Sequence, residues 1–222
     1  MSKTYYHAIA FDFDGTLVDT MHEYARIASE EIYNLYGLRK ETAKQLYLET
    51  SGIPFFQQLD LIFGSDSRNS LCANKFEKRK ETFLKTVRLD KRVQALLYRM
   101  RSMGLSIAIT SNNYQGLIDE FVMNVPNLFD LVLGFGNGFS KGPLQFSQVI
   151  DSFGIDRRYL LFVGDSLSDA RKSLAFGIDF VAISGTLRPE SFTAIFPTIP
   201  VIFSFEELKP LLERQKPLNS KE

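Results

Sequence analysis

Cysteine is almost missing from this chain: Cys72 is the only one in 222 residues. One thiol cannot build an internal disulfide framework or a cysteine metal site, and such sparing use fits a reducing compartment. Net charge is missing as well, because 26 Lys and Arg balance 26 Asp and Glu. That balance leaves no basic footprint for nucleic acid, although it permits a local charged pocket. No apolar run approaches the roughly 20 residues that a membrane span needs. The opening MSKTYYHAIAFDFDG meets acidic residues before a signal-peptide core could form. These absences point to a cytoplasmic protein, expected to be a monomer, that acts on something small. Neither nucleic acid nor membrane is an expected partner.

What is present is an alternation of short apolar runs with longer helical patterns. His7 to Phe13, Leu105 to Thr110 and Tyr159 to Val163 read as buried strands; Leu131 to Leu133, Phe180 to Ile183 and Val201 to Phe203 are weaker versions. Helical stretches lie between them at Lys91 to Met103, Tyr114 to Met123, Leu144 to Phe153, Leu167 to Phe176 and Phe205 to Glu213. The spacing predicts an α/β fold, a parallel sheet with helices on both faces. One interval breaks the alternation. From Thr20 to Arg88 the patterns at Glu23 to Tyr36, Glu41 to Thr50, Phe55 to Phe63 and Asn69 to Val87 are all helical. This is a helical insertion, residues 20–88, dividing a core made of residues 1–19 and 89–222. The final LNSKE reads as a frayed tail.

Ligands of open parallel sheets bind beyond the carboxyl ends of the strands. The first predicted strand ends in Asp12-Phe13-Asp14-Gly15-Thr16, and the second runs into Ser111-Asn112-Asn113. Lys141-Gly142-Pro143 precedes a helix, and a further strand runs into Gly164-Asp165-Ser166-Leu167-Ser168-Asp169. Four aspartates would meet one lysine there, and like charges so close cannot all stay ionised without a cation. Hard carboxylate oxygens favour Mg²⁺ over zinc. Asp12 and Asp14, two apart, can face one pocket as the chain leaves the sheet, and Gly15 permits a sharp departure. The parts suit in-line phosphoryl transfer, in which one aspartate attacks phosphorus while the other handles protons.

The motifs DFDGT, ITSN, SKGP and GDSLSD, in this order, resemble those of the haloacid dehalogenase superfamily in its phosphatase branch. The likeness runs from about Ala8 to Ile183. It implies a Rossmann-like core with an inserted α-helical cap, as in phosphoglycolate phosphatases and β-phosphoglucomutases. It also implies roles. Asp12 would be the nucleophile, and Asp14 the acid and base, oriented by Thr16. Ser111 and Lys141 would hold phosphoryl oxygens; Asn112, read from the residues alone, either touches substrate or caps the following helix. Asp12, the Asp14 carbonyl and Asp165 would hold Mg²⁺, with Asp169 in direct or water-mediated support. The substrate would be a small phosphorylated metabolite. Keeping Asp14 favours phosphate esters over carbon–halogen bonds, because an alkoxide needs a proton to leave.

Other readings of the same residues remain. A phosphomutase would keep the phosphoryl group for transfer, and a phospho-receiver module also uses an acidic cluster with a hydroxyl and a lysine. Asp165 alone would serve as a helix N-cap, and Ser111 as a cap for the helix after it. Thr50 to Gln58 is the expected reading segment of the cap, with Phe55 and Phe56 open to either substrate contact or packing. The Lys75 to Lys85 stretch reads as a solvated helix face, and Cys72 as part of the insertion's core. His7 reads as strand filler and His22 as a partly exposed helical residue.

Overall fold

The computed structural model describes residues 5–213; the LNSKE tail lies outside them. Among the described residues one sheet contains β1 (Ala8–Asp12), β2 (Ser106–Tyr114), β3 (Leu131–Phe135), β4 (Leu160–Gly164), β5 (Asp179–Ile183) and β6 (Val201–Ile202). All neighbours pair in parallel, in the spatial order β3-β2-β1-β4-β5-β6. The chain lays down β1, β2 and β3 in one direction, then restarts on the other side of β1 with β4. That reversal opens a crevice beyond the carboxyl ends of β1 and β4, the place where such sheets bind ligands.

Two compact units result, one of Asp19–Val87 and one of the chain before and after it. The first holds α1 (Met21–Tyr36), α2 (Lys40–Glu49), α3 (Phe55–Phe63) and α4 (Asn69–Leu84). Met21, Tyr24, Ala25, Ala28 and Ile32 recur at helical spacing and form the buried stripe of α1. Phe76 is the centre of the unit's core, its ring 4.2 Å from that of Phe55 and 5.7 Å from that of Tyr47. Cys72 lies in this core, where burial pushes its thiol up to about 12. The α4 charges are more than a solvated face. Arg79 pairs with Glu30 and Glu31, and Lys80 is buried beside Glu77 with its ammonium over the Tyr24 and Phe76 rings. The alkyl stem of a lysine covers apolar surface while its head finds a partner, which pattern alone does not reveal. Of the paired phenylalanines, Phe55 is core and Phe56 is exposed. His22 is exposed, as its helical position suggested.

The second unit carries α5 (Lys91–Ser102), α6 (Gln115–Val122), α7 (Pro143–Phe153), α8 (Leu167–Phe176), α9 (Pro189–Thr193) and α10 (Leu208–Leu212) around the sheet. On one sheet face, Ala8, Ala10 and Ala108 leave room for Phe146, Phe162 and Phe180. On the other, Ile9, Phe11, Ile107, Ile109, Leu161 and Val163 are fully buried. A parallel sheet covered on both faces reads as continuous apolar runs, which is why the sequence displays its strands so plainly. Differences occur at the ends. His7 precedes β1, is exposed and stacks on Tyr159 with centroids 4.4 Å apart. The expected helix at Phe205 to Glu213 is a 3₁₀ turn at Phe205–Glu207 followed by α10. Ser204 and Glu207 form a capping box on that turn. The five-residue α9 has too few residues to show a period and was not expected.

One irregularity matters for the site. β2 does not stop at Thr110 but continues to Tyr114, with a break in its ladder. Between the pairs Thr110–Leu133 and Tyr114–Phe135, β2 advances four residues while β3 advances two. Two glutamines replace the lost ladder bonds. The Gln145 amide donates to the carbonyls of Ser111 and Gly134, and its oxygen accepts from the Ser111 N–H. Gln115 accepts from the Gly134 N–H at 2.5 Å and donates to the Val132 carbonyl at 3.1 Å. Gly134 permits this close approach, since a Cβ there would lie 2.6 Å from the Gln115 Cα. We expect Gly134→Ala to destabilise the fold by about 2 kcal/mol through overpacking against backbone. Gly136→Ala, whose added Cβ meets nothing within 4 Å, should leave the melting temperature unchanged. Thermal melts of the two variants check this.

Candidate active site

Groups from the ends of β1 and β4, from the first turn of α8 and from the loop before α7 meet at one edge of the sheet. Asp12 is the last residue of β1, and Asp165 follows β4 directly. Asp169 stands in the first turn of α8. All three side chains are buried, and one carboxylate oxygen from each lies within 4.8 Å of the others. Lys141, itself buried, sets its ammonium 2.8 Å from an Asp12 oxygen and 2.8 Å from an Asp169 oxygen. One positive charge thus faces three carboxylates in a desolvated place. Burial first, then Asp169 and Asp165, drives the Asp12 carboxyl well above its ordinary value against the pull of Lys141. Asp165 is pushed up to about 7, by burial and then by Asp169. Burial alone would lower the Lys141 ammonium, but Asp12 and Asp169 reverse this and hold it above the usual lysine range.

The GDSLSD motif acquires a local explanation. Ser166 is the N-cap of α8: its hydroxyl accepts from the Asp169 N–H at 3.1 Å and donates to Asp169 Oδ2 at 2.6 Å. Capping therefore belongs to Ser166, and Asp165 is left to the crevice. Gly164 makes room for the folded-back Asp169, whose Oδ2 would lie 2.9 Å from any Cβ at that position. Thr186, in the loop after β5, donates its hydroxyl to Asp165 Oδ2. Sequence reasoning missed Thr186; its signal was only its place beyond the carboxyl end of the strand beside β4.

Around Lys141 the backbone is held at both ends. Its N–H donates to Asn112 Oδ1 at 3.0 Å, and its carbonyl accepts from Lys172 Nζ at 3.1 Å. Burial and then Lys141 lower the Lys172 ammonium from its ordinary value. Gly142 takes φ 132 at the N-cap of α7, ahead of Pro143 at the first helical position. Asn112 therefore supports the lysine loop. Ser111 does not cap α6, whose N-cap is Tyr114; its hydroxyl accepts from the Asn113 N–H at 3.0 Å.

Asp14 is half-buried and stands apart from the three-carboxylate cluster. Its Oδ2 accepts from the Asn113 amide at 2.6 Å. The orienting contact expected from Thr16 is absent: among the described residues Thr16 Oγ1 has no hydrogen-bond partner. Asn113, passed over in favour of Asn112, is the asparagine that reaches Asp14. Gln145 was also missed, because a glutamine near the start of an amphipathic helix carries no sequence signal of a backbone bridge.

A model of the haloacid dehalogenase-like hydrolase family matches residues 9–183. The chain belongs to that family. Among its relatives is a Neisseria gonorrhoeae protein named phosphoglycolate phosphatase, 26% identical, the match covering 91% of this chain and 93% of the relative. A Synechococcus elongatus protein of the same name is 24% identical over 80% of this chain and 83% of its own length. A haloacid dehalogenase-like family protein from Streptococcus pneumoniae superposes with a TM-score of 0.77 at 18% identity, covering 93% of this chain and 98% of the other. That likeness supports the α/β Rossmann-like fold of this hydrolase. Among the described residues no helix is long and apolar enough to cross a membrane.

The donor set suits a hard divalent cation. Three buried carboxylates, with the Lys141 ammonium in contact and the Lys172 ammonium nearby, still leave negative charge uncompensated, and oxygen-only donors match Mg²⁺. The raised Asp12 and Asp165 state the same fact as a stability effect. An unfolded chain titrates both near 3.8, so above about pH 4 the metal-free folded protein binds the extra protons, Asp165 doing so up to about pH 7. Their contribution therefore favours the fold in acid and is lost as the pH rises. In EDTA, Asp165→Asn should melt higher than the parent protein at pH 8, with the gap closing by pH 5. Adding Mg²⁺ at pH 8 should raise the parent's melting temperature more than the variant's. Scanning fluorimetry across this range measures both.

Proposed function

We propose that this hydrolase is a magnesium-dependent phosphatase that cleaves a small phosphate monoester through an aspartyl-phosphate on Asp12. The observation that carries the reading is the Asp12 carboxylate itself. It is buried at the sheet's crevice, 2.8 Å from the Lys141 ammonium, and clustered with Asp165 and Asp169. In this reading an Asp12 oxygen attacks phosphorus, the bond from phosphorus to the leaving oxygen breaks, and Asp14 gives that oxygen its proton. Water then attacks the phosphorus of the aspartyl-phosphate, Asp14 takes a proton from it, and phosphate departs with Asp12 restored. Lys141 and the Ser111 hydroxyl hold phosphoryl oxygens, where catalysis is mostly positioning and charge neutralisation. Asp12, Asp165, the Asp14 carbonyl and Asp169, the last directly or through water, would hold Mg²⁺, which supplies positive charge for the phosphoryl group.

The helical insertion, residues 20–88 on the sequence reading, is the cap in this proposal and selects the leaving group. Two relatives carry the name phosphoglycolate phosphatase, which makes 2-phosphoglycolate the first member of a substrate panel. We expect phosphate release from at least one phosphorylated metabolite with Mg²⁺, and none in EDTA. Asp12→Asn should retain its circular dichroism spectrum and lose at least about a thousandfold in turnover, as removal of a nucleophile does elsewhere. Undiminished release by Asp12→Asn would overturn the nucleophile assignment. Isomerisation that depends on a bisphosphate activator, with little net phosphate, would indicate a mutase instead.

A further inference from the structure

We infer that Asn113 is a positioning residue for the proton transfers assigned to Asp14, an inference that rests on the phosphatase reading above. Asp14 sits on a tight turn beyond β1. Gly15 at φ 74 reverses the chain and donates to the Val18 carbonyl, while the N–H groups of Leu17 and Val18 both return to the Phe13 carbonyl. These bonds fix the backbone of the turn but do not orient the Asp14 carboxylate. The Asn113 amide does so, donating to Oδ2 at 2.6 Å from 99 residues along the chain. Asn113 is itself 2% exposed, so its amide cannot swing into solvent.

The bulge in β2 supplies the rigidity. With two extra residues between the Thr110 and Tyr114 pairings, Asn113 leaves the ladder and its side chain reaches the Asp14 turn. Gln145 holds Ser111 at both backbone atoms, and the Asn113 N–H returns to Ser111 Oγ. One strapped segment thus fixes the hydroxyl assigned to the phosphoryl group and the amide that aims the acid. An amide suits this task. It has no charge to neutralise the carboxylate and no proton to exchange with it. It holds direction while Asp14 passes between its acid and base forms. Thr16, the expected alternative, has no partner for its hydroxyl among the described residues.

The test separates aiming the acid from general damage. A p-nitrophenolate leaves without protonation, whereas the alkoxide of an alkyl phosphate needs the Asp14 proton. The pre-steady-state burst of leaving-group release is measured for p-nitrophenyl phosphate and for the alkyl phosphate the panel selects. For Asn113→Ala the alkyl burst rate should fall by about 10- to 100-fold, within the range of general acid catalysis, and the p-nitrophenyl burst by less than about threefold. Asn113→Leu, close in size but without the donor, should show the same split, and it keeps the test valid if alanine loosens the bulge. An equal fall for both esters, or none for either, would overturn the inference. Failure of the underlying reading looks different: the parent protein would release no phosphate from any ester, or Asp12→Asn would keep its activity, and both proposals would fall together.

Discussion

The site is organised by an imbalance of charge. Lys141 contacts Asp12 and Asp169 at equal distance, and Asp165 completes a group of three carboxylates around one ammonium. Removing these charges from water is costly, and a single lysine does not compensate all of them. Each remaining contact can be read as a way of limiting the cost. Ser166 takes up one Asp169 oxygen, Thr186 takes up one Asp165 oxygen, and Asn112 and Lys172 hold the backbone on either side of Lys141. What these bonds leave uncompensated is a field suited to a divalent cation and a phosphoryl group. The fold tolerates that strain because the two faces of the sheet, built of fully buried Ala, Ile, Leu, Val and Phe, supply the stability that the crevice does not.

The second constraint is the way β2 ends. A regular strand would have carried Ser111, Asn112 and Asn113 along the ladder beside β3. The two-residue excess takes them out of it, and each then performs a separate task. Ser111 offers a hydroxyl, Asn112 holds the Lys141 loop, and Asn113 meets Asp14. Backbone groups released by the bulge would cost stability if left unpaired inside the protein. Gln145 and Gln115 pair them, and Gly134 lets Gln115 come close enough to do so. Bulges beside active sites commonly re-aim side chains in this way.

The legibility of the molecule follows from these physical facts. Strands buried on both faces are continuous apolar runs, so β1, β2, β4 and β5 were visible, as were the four helices of the insertion. The motifs at strand ends were visible too, because glycine, aspartate and lysine in such an order have few uses. What stayed hidden depends on three-dimensional pairing. Extending β2 past Thr110 required knowing that polar Ser111 to Asn113 would remain in a strand, against their preference for turns. Choosing between Asn112 and Asn113 turns on the phase of the bulge, since a single-residue slip exchanges the neighbours of adjacent side chains. Lys80 was read as solvated because its partners, Glu77 and two aromatic rings, come together only on folding.

The division of labour between the two units follows from the same geometry. Asp12, Asp14, Ser111, Asn113, Lys141, Asp165 and Asp169 all belong to the sheet unit. The proposed chemical steps therefore draw on a single compact unit, which suits a reaction governed by positioning. The helical unit has a core of its own. Gln58 is buried and bonds to Thr50 and to the Ile53 carbonyl, closing the Thr50 to Gln58 segment on itself, while Phe55 enters the core beside Phe76. Within that segment Phe56 is the large apolar side chain that this packing leaves exposed.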